Sequence, residues 1–102
     1  MVARVLQEKL PEVIQTLKTH HVKSAFAFGS VCTDKFNSKS DIDLLIDFNT
    51  EDLFSGYAEN FCQLEEKLKN ILNREVDLLA AHSLRNPYFI NEIEETKILL
   101  YE

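Results

Sequence analysis

Three aspartates alternate along the segment DIDLLID, residues 41–47, opposite a row of apolar side chains. This alternation is typical of a β-strand with one buried face, which places Asp41 and Asp43 on the same side about 6.5 Å apart. Two carboxylates at this spacing suit joint chelation of a hard divalent cation, which prefers oxygen ligands. The segment is therefore a candidate metal site, and a solvated strand face is the simpler alternative.

A third acid lies in another strand-like segment, residues 75–81, where Asp77 alternates with apolar residues. Three carboxylates that converge on one place repel each other unless cations bind there. Two metal ions about 3.5–4 Å apart can stabilise the attacking and leaving oxygens of a phosphoryl transfer. The acids therefore indicate metal-assisted phosphoryl-transfer chemistry, provided that the two strands are neighbours.

Gly29-Ser30 directly follows an apolar segment, residues 22–28. A glycine at the end of a strand, before a helical turn, lets backbone N–H groups approach a phosphate, and the serine hydroxyl adds a donor. A phosphate-binding turn, a spacer and a metal-binding pair thus follow one another in the chain.

The elements that must position these residues alternate along the sequence. Helical spacing of apolar residues predicts helices over residues 2–20, over residues 57–72 and from Pro87 onward. Pro11 is expected either to kink the first helix or to begin a second one. Strands are predicted over residues 22–28, 41–48 and 75–81, and residues 97–102 are expected to be extended. Residues 50–56 are predicted to connect strand to helix, with Ser55 as a helix cap.

The order of these elements predicts an α/β fold with a small mixed β-sheet flanked by helices, in a single domain over residues 1–102. The short connection between the first two strands favours antiparallel pairing. The helix between the second and third strands allows a parallel crossover.

Composition narrows the class of protein further. The chain has 102 residues, of which 45% are hydrophobic, enough for one modest core. Its net charge of −6 argues against a general nucleic-acid binder, and no apolar run is long enough to span a membrane. The N-terminal segment lacks the features of a signal peptide, and Cys32 and Cys62 are far apart, so a cytoplasmic location is expected.

Taken together, Gly29-Ser30, nine further residues and the segment SDIDLL, residues 40–45, resemble the signature of the minimal nucleotidyltransferases. These are small members of the DNA polymerase beta-like superfamily, whose third carboxylate is matched by Asp77. The resemblance extends over nearly the whole chain, and the combination is far more specific than two alternating aspartates alone.

The resemblance implies a polymerase beta-like nucleotidyltransferase fold and a role for each matching residue. Asp41, Asp43 and Asp77 would be the catalytic residues and would bind two Mg²⁺ ions, with Mn²⁺ as an alternative. Asp77 would also help to activate the acceptor hydroxyl. Nucleotide-binding positions would be Gly29, Ser30 and Ser40. The reaction would transfer a nucleoside monophosphate, commonly AMP from ATP, to an acceptor hydroxyl.

The segment Val31-Cys32-Thr33-Asp34 departs from the family pattern, which often continues after Gly-Ser with an arginine-rich turn. The basic side chains that would face phosphate are absent, and Asp34 adds a negative charge. Lys35 or Lys39 is a candidate substitute, although a lysine binds phosphate with less geometric precision than an arginine. The departure bears on triphosphate affinity rather than on the metal site.

Two functions follow from the resemblance. The first is an active enzyme whose acceptor is a tyrosine of a helical HEPN-type toxin partner, so that the chain acts as the antitoxin. Because 102 residues leave little room for acceptor recognition, specificity is expected from this partner or from a homo-oligomer interface. The alternative is a binding module with weakened catalysis that neutralises or scaffolds a partner protein.

Four other polar residues near these elements have simpler interpretations. Asp47 shares the face of Asp43 but lies about 13 Å along the strand from it, and Glu75 flanks Asp77; both are expected to be solvated. His20 and His21 lie at the end of the first helix, where the helix dipole favours a cation.

Overall fold

The structure is a computed structural model, and it describes residues 2–48 and 56–102. Helices and strands alternate in these ranges much as the sequence pattern predicts. They are α1 (Arg4–Thr19), β1 (Val22–Phe28), β2 (Ile42–Phe48), α2 (Tyr57–Leu72), β3 (Val76–Ala80), α3 (Pro87–Thr96) and β4 (Ile98–Tyr101). Short 3-10 turns follow β1 at Gly29–Cys32 and β3 at Ala81–Ser83. The predicted cap Ser55 and most of its connection lie outside the described residues.

The four strands form one mixed sheet in the order β3-β2-β1-β4. Strand β1 pairs antiparallel with both β2 and β4, whereas β2 pairs parallel with β3. Both predicted pairings are confirmed. The parallel pair is possible because α2 carries the chain back from the end of β2 to the start of β3.

Helices α1 and α2 cover one face of the sheet with the main hydrophobic core, and α3 covers part of the other face. The core on the first face includes Ile42, Leu44 and Ile46, which alternate along β2 with the residues of the opposite face. The smaller cluster under α3 contains Phe28, Leu45 and Ile93.

Strict alternation along residues 22–28 would place Val22 on the same face as Phe26 and Phe28, and the structure does not follow it. The register of β1 shifts between Val22 and Ser24, which is a bulge of the kind that moves a side chain to the other face. Val22 therefore belongs to the main core beneath α1 and α2, whereas Phe26 packs against the cluster beneath α3.

Helix α1 continues through Pro11 without a second start. Pro11 is exposed, and the buried side chains of the helix are Leu6, Val13 and Leu17, so packing of this face outweighs the lost backbone hydrogen bond. Among the helices of the described ranges, none combines the length and the apolar character needed to cross a bilayer.

His20 ends α1 as a buried polar residue, only 4% exposed. The amino group of Lys67 lies 3.1 Å from its Nε2, and the side-chain Oδ1 of Asn60 lies 2.8 Å from its Nδ1. Because an ammonium can only donate, Nε2 accepts and the Nδ1–H donates to Asn60. The Asn60 amide also donates to the His20 carbonyl at 3.0 Å. The helix-dipole interpretation of His20 is incomplete, since this buried ring joins α1 to α2.

Replacing Asn60 with Ala is expected to lower the free energy of unfolding by about 1–3 kcal/mol, because the buried Nδ1–H and carbonyl of His20 lose their partner. Urea denaturation followed by circular dichroism measures this. Asn70→Ala makes the same change at an exposed position of α2 and is expected to stay within about 0.5 kcal/mol of the wild type. Equal effects of the two variants would contradict the assigned role of Asn60.

Candidate active site

Asp43 and Asp77 are direct neighbours across the parallel pair of β2 and β3. On its other side Asp43 is opposite Phe28, the last residue of β1. Strand β1 ends where β2 and β3 begin, because β1 runs antiparallel to β2. The strand register therefore brings Gly29, Asp43 and Asp77, which are distant in sequence, to one end of the sheet.

Gly29 passes so close to Asp43 that a side chain at this position would displace either the turn or the carboxylate. A Cβ atom on Gly29 would lie 2.5 Å from the Asp43 Oδ2. The Gly29 backbone also has a φ of +74°, which residues other than glycine rarely adopt. The predicted helical turn after Gly29-Ser30 is confirmed as a 3-10 turn. The Ser30 carbonyl accepts hydrogen bonds from the Thr33 N–H at 2.9 Å and from the Thr33 hydroxyl at 3.0 Å. These bonds close the turn beside the carboxylate.

The environment of Asp43 raises the pKa of its carboxyl to about 6. Burial is the largest cause, followed by the negative charges of Asp77 and then of Asp41. Asp43 is half-buried, whereas Asp41 and Asp77 are exposed. The three acids thus interact unfavourably when all are ionised, and a bound cation would relieve that repulsion.

Asp41 borders a different surface from its two partners. It lines a groove of about 550 Å³ together with Lys9, Lys39, Arg74 and Glu75, among others. Within residues 2–48 and 56–102, no three potential ligand side chains are arranged to hold a metal ion. The donors fit Mg²⁺ in kind, since the carboxylates of Asp41 and Asp77 both interact electrostatically with that of Asp43, but side chains must move before all three can bind one ion.

Ser40, a predicted nucleotide-binding residue, closes the turn that precedes Asp41. Its hydroxyl accepts a hydrogen bond from the Asn37 N–H at 3.1 Å, and its own N–H donates to the Asn37 carbonyl at 3.0 Å. The structure therefore gives Ser40 a role in loop geometry, and contact with a nucleotide stays a prediction.

A cavity of about 360 Å³ between the sheet and α3 contains residues that sequence reasoning did not assign to the site. It is lined by Phe28, Gly29, Thr33 and Asp43 on one side and by Phe89, Glu92, Ile93 and Thr96 on the other. The α3 residues of this lining, at positions 89, 92, 93 and 96, have the spacing of one helix face. This spacing is the sequence signal from which they could have been identified.

The charge of this cavity is negative. Asp43 and Glu92 both line it, and its described lining contains neither lysine nor arginine. Lys35 and Lys39, the candidate substitutes for the absent arginines, are exposed and lie outside the lining. A triphosphate at Gly29 would therefore depend on metal ions for charge neutralisation.

Cys32 lies in the same turn but is not suited to nucleophilic chemistry. Burial raises the pKa of its thiol, and the negative charge of Asp43 adds to the effect. The neutral thiol is a weak nucleophile, so Cys32 is interpreted as a packing residue.

The chain is similar in sequence to known nucleotidyltransferases. The family model described as "Polymerase beta, Nucleotidyltransferase" matches residues 11–102. A Methanocaldococcus jannaschii protein named "Putative protein adenylyltransferase" is 34% identical over 97 residues, which cover 87% of this chain and 95% of the relative.

Solved structures with low sequence identity share the fold. The structure described as "putative minimal nucleotidyltransferase" has a TM-score of 0.78 at 22% identity, covering 96% of this chain and 95% of that one. An MNT antitoxin in complex with the tri-AMPylated HEPN toxin of Shewanella oneidensis has a TM-score of 0.67 at 20% identity, covering 93% of this chain and 71% of the matched chain.

Proposed function

We propose the function of this site from one premise, which is that the chain belongs to the polymerase beta nucleotidyltransferase family. The chain is thus a nucleotidyltransferase with the four-stranded mixed sheet of the minimal nucleotidyltransferases. The finer proposal is that it transfers AMP from ATP to a hydroxyl group of a partner protein in the cytoplasm. The observation that carries it is the convergence of Gly29, Asp43 and Asp77 at one end of the sheet.

In the proposed reaction, ATP and the acceptor hydroxyl meet at the end of the sheet that carries Asp43 and Asp77. The acceptor oxygen forms a bond to the α-phosphorus of ATP, the bond from that phosphorus to the bridging oxygen breaks, and pyrophosphate leaves. Asp77, which is exposed beside Asp43, accepts the proton of the acceptor hydroxyl. Backbone N–H groups of the turn Gly29–Cys32 and the Ser30 hydroxyl orient the β- and γ-phosphates.

Asp41, Asp43 and Asp77 would hold the divalent cations, proposed as two Mg²⁺ ions with Mn²⁺ as a substitute. Bound ions of this kind neutralise the triphosphate and stabilise both the attacking and the leaving oxygen. The raised pKa of Asp43 supports this assignment, because burial and two neighbouring carboxylates make its ionised form unfavourable until a cation is present. The residues of the chain then contribute mainly positioning and charge neutralisation.

The proposed acceptor is a tyrosine of a HEPN-type helical protein, with this chain as its antitoxin. Two findings on relatives support it: curated relatives bear the name protein adenylyltransferase, and one structural neighbour is an MNT antitoxin in complex with an AMPylated HEPN toxin. The exposed side of Asp77 on the edge strand β3 leaves access for a protein acceptor.

The test is incubation with ATP, Mg²⁺ and the protein encoded by the adjacent gene, followed by intact-mass spectrometry and peptide mapping. We expect one or more AMP groups on tyrosine of that protein, and none when EDTA replaces Mg²⁺. A stable complex without any adduct would overturn the transfer proposal. It would favour the second candidate, a binding module with weakened catalysis, for which the acidic lining of the α3 cavity is the supporting observation.

A further inference from the structure

The loop 33–40 delivers Asp41 to the site and is built around Asn37. The Asn37 side-chain oxygen accepts from the Lys39 N–H at 2.8 Å, and its backbone N–H donates to the Ser40 hydroxyl at 3.1 Å. The Asn37 carbonyl accepts from the Ser40 N–H at 3.0 Å. These bonds make residues 37–40 a compact turn that ends immediately before Asp41.

Arg74 connects this turn to the rest of the molecule. Its guanidinium donates to the Asn37 carbonyl at 2.8 Å and lies 4.4 Å from the centre of the Phe36 ring. Phe36 in turn packs against the main core. In the described part of the chain, the other hydrogen bonds of residues 34–40 have their partners within the loop.

The end of α2 explains why Arg74 is available for this contact. Asn73 follows the helix with a φ of +54°, a left-handed conformation that ends helices and redirects the chain. The next residue after Arg74, Glu75, accepts a backbone hydrogen bond from Ile42 at 3.0 Å. Two successive residues thus hold the chain on both sides of Asp41, Arg74 through the turn and Glu75 through β2.

We propose that Arg74 is a positioning residue for the catalytic carboxylates, holding loop 33–40 so that Asp41 can turn towards Asp43 and complete the cation site. The inference rests on the proposed function of the three aspartates. The loop must be rigid for this, because Asp41 is exposed in a groove and has, among residues 2–48 and 56–102, no hydrogen bond or ion pair that would orient its own side chain. Removing an outer partner of a metal ligand typically lowers metal affinity 10- to 100-fold.

The experiment compares Arg74→Met with the wild type in two measurements. Hydrogen exchange of the metal-free proteins, resolved by NMR, reports the protection of the Lys39 and Ser40 amides. Titration with Mn²⁺, followed by electron paramagnetic resonance, reports cation affinity without any need for catalysis. We expect faster exchange of both amides and a Mn²⁺ affinity lowered about 10-fold or more.

Arg85→Met is the matched control. Arg85 donates to the backbone carbonyls of His82 at 2.8 Å and Leu84 at 3.0 Å, so its loss removes the same charge and the same kind of bond elsewhere. Its Mn²⁺ affinity is expected to equal that of the wild type. Arg74→Lys keeps the charge but loses the planar group above Phe36, and an intermediate loss is expected.

The outcomes separate the two proposals. Wild-type Mn²⁺ affinity in Arg74→Met would overturn the positioning role, as would loss of nucleotide affinity with unchanged loop exchange and unchanged Mn²⁺ affinity. A wild-type protein that binds no Mn²⁺ would overturn the proposed function, and this inference with it. If Arg74→Met does not fold, Phe36→Leu weakens the same contact while keeping an apolar anchor, and the same two measurements decide.

Discussion

Replacing Asp43 with Asn is expected to lower the rate of nucleotidyl transfer about 10³-fold or more and, in the absence of metal, to stabilise the protein. The rate falls because an amide cannot balance the charge of a divalent cation, and metal stabilisation of the transition state amounts to several kcal/mol. The gain in stability has a different origin, since the ionised carboxylate is unfavourable in its half-buried position beside Asp77.

The sign of the stability effect follows from the pKa of Asp43. That pKa is about 6 in the folded protein against an ordinary 3.8, so folding favours the protonated form. The resulting stabilisation is complete below about pH 3.8 and is lost as the pH rises through about 6. At pH 7.5 the charge therefore opposes folding, and after allowance for solvent screening its removal is expected to gain about 1 kcal/mol.

Thermal denaturation at pH 7.5 measures both effects of the Asp43 variant. In EDTA, Asp43→Asn is expected to melt about 4–8 °C above the wild type. Added Mg²⁺ is expected to raise the melting temperature of the wild type only. Asp47→Asn changes the same group on the same face, four positions further along β2, and is expected to keep the metal response. A Mg²⁺ response retained in Asp43→Asn would refute the proposed ligand.

Replacing Gly29 with Ala is expected to lower the transfer rate about 10²-fold, a typical cost of displacing a catalytic group by about 1 Å. The added methyl group would lie 2.5 Å from the Asp43 Oδ2, so either the turn or the carboxylate must move. The left-handed backbone at Gly29 adds a stability cost of about 1–2 kcal/mol. Steady-state kinetics and urea denaturation measure the two effects separately.

Gly56→Ala is the control for the stability cost of a left-handed backbone. Gly56 precedes α2 and also has a positive φ, +98°, so the same substitution imposes a similar strain at a position not assigned to the site. It is expected to lose about 1–2 kcal/mol of stability and to retain the wild-type rate. If both glycine variants lose activity equally, general destabilisation and not the Asp43 contact explains the loss.

The elements and their pairing were predictable from local patterns. Alternation identified β2, helical spacing identified α2, and the presence or absence of an intervening helix decided whether strands pair parallel or antiparallel. The bulge that moves Val22 to the other face was not predictable. A register shift depends on how two strands pair, and the residue pattern of one strand alone does not show it.

The candidate site was only partly accessible to the same reasoning. The pattern of acids indicated that Asp43 and Asp77 converge if their strands are neighbours, and β2 and β3 are paired in parallel with these two residues opposite each other. The contributions of Arg74 and Glu92 were missed, because their relation to the site arises from packing between elements distant in sequence. Likewise, the raised pKa of Asp43 depends on burial, which alternation alone does not quantify.

The most direct test of the proposed transfer centre is AMP transfer from ATP labelled at the α-phosphate, in the presence of Mg²⁺ and the partner protein. Wild type, Asp43→Asn and Asp47→Asn are compared at equal concentration. Our expectation is a labelled partner with the wild type and with Asp47→Asn, and at least about 10³-fold slower labelling with Asp43→Asn. Labelling by Asp43→Asn at the wild-type rate would contradict it.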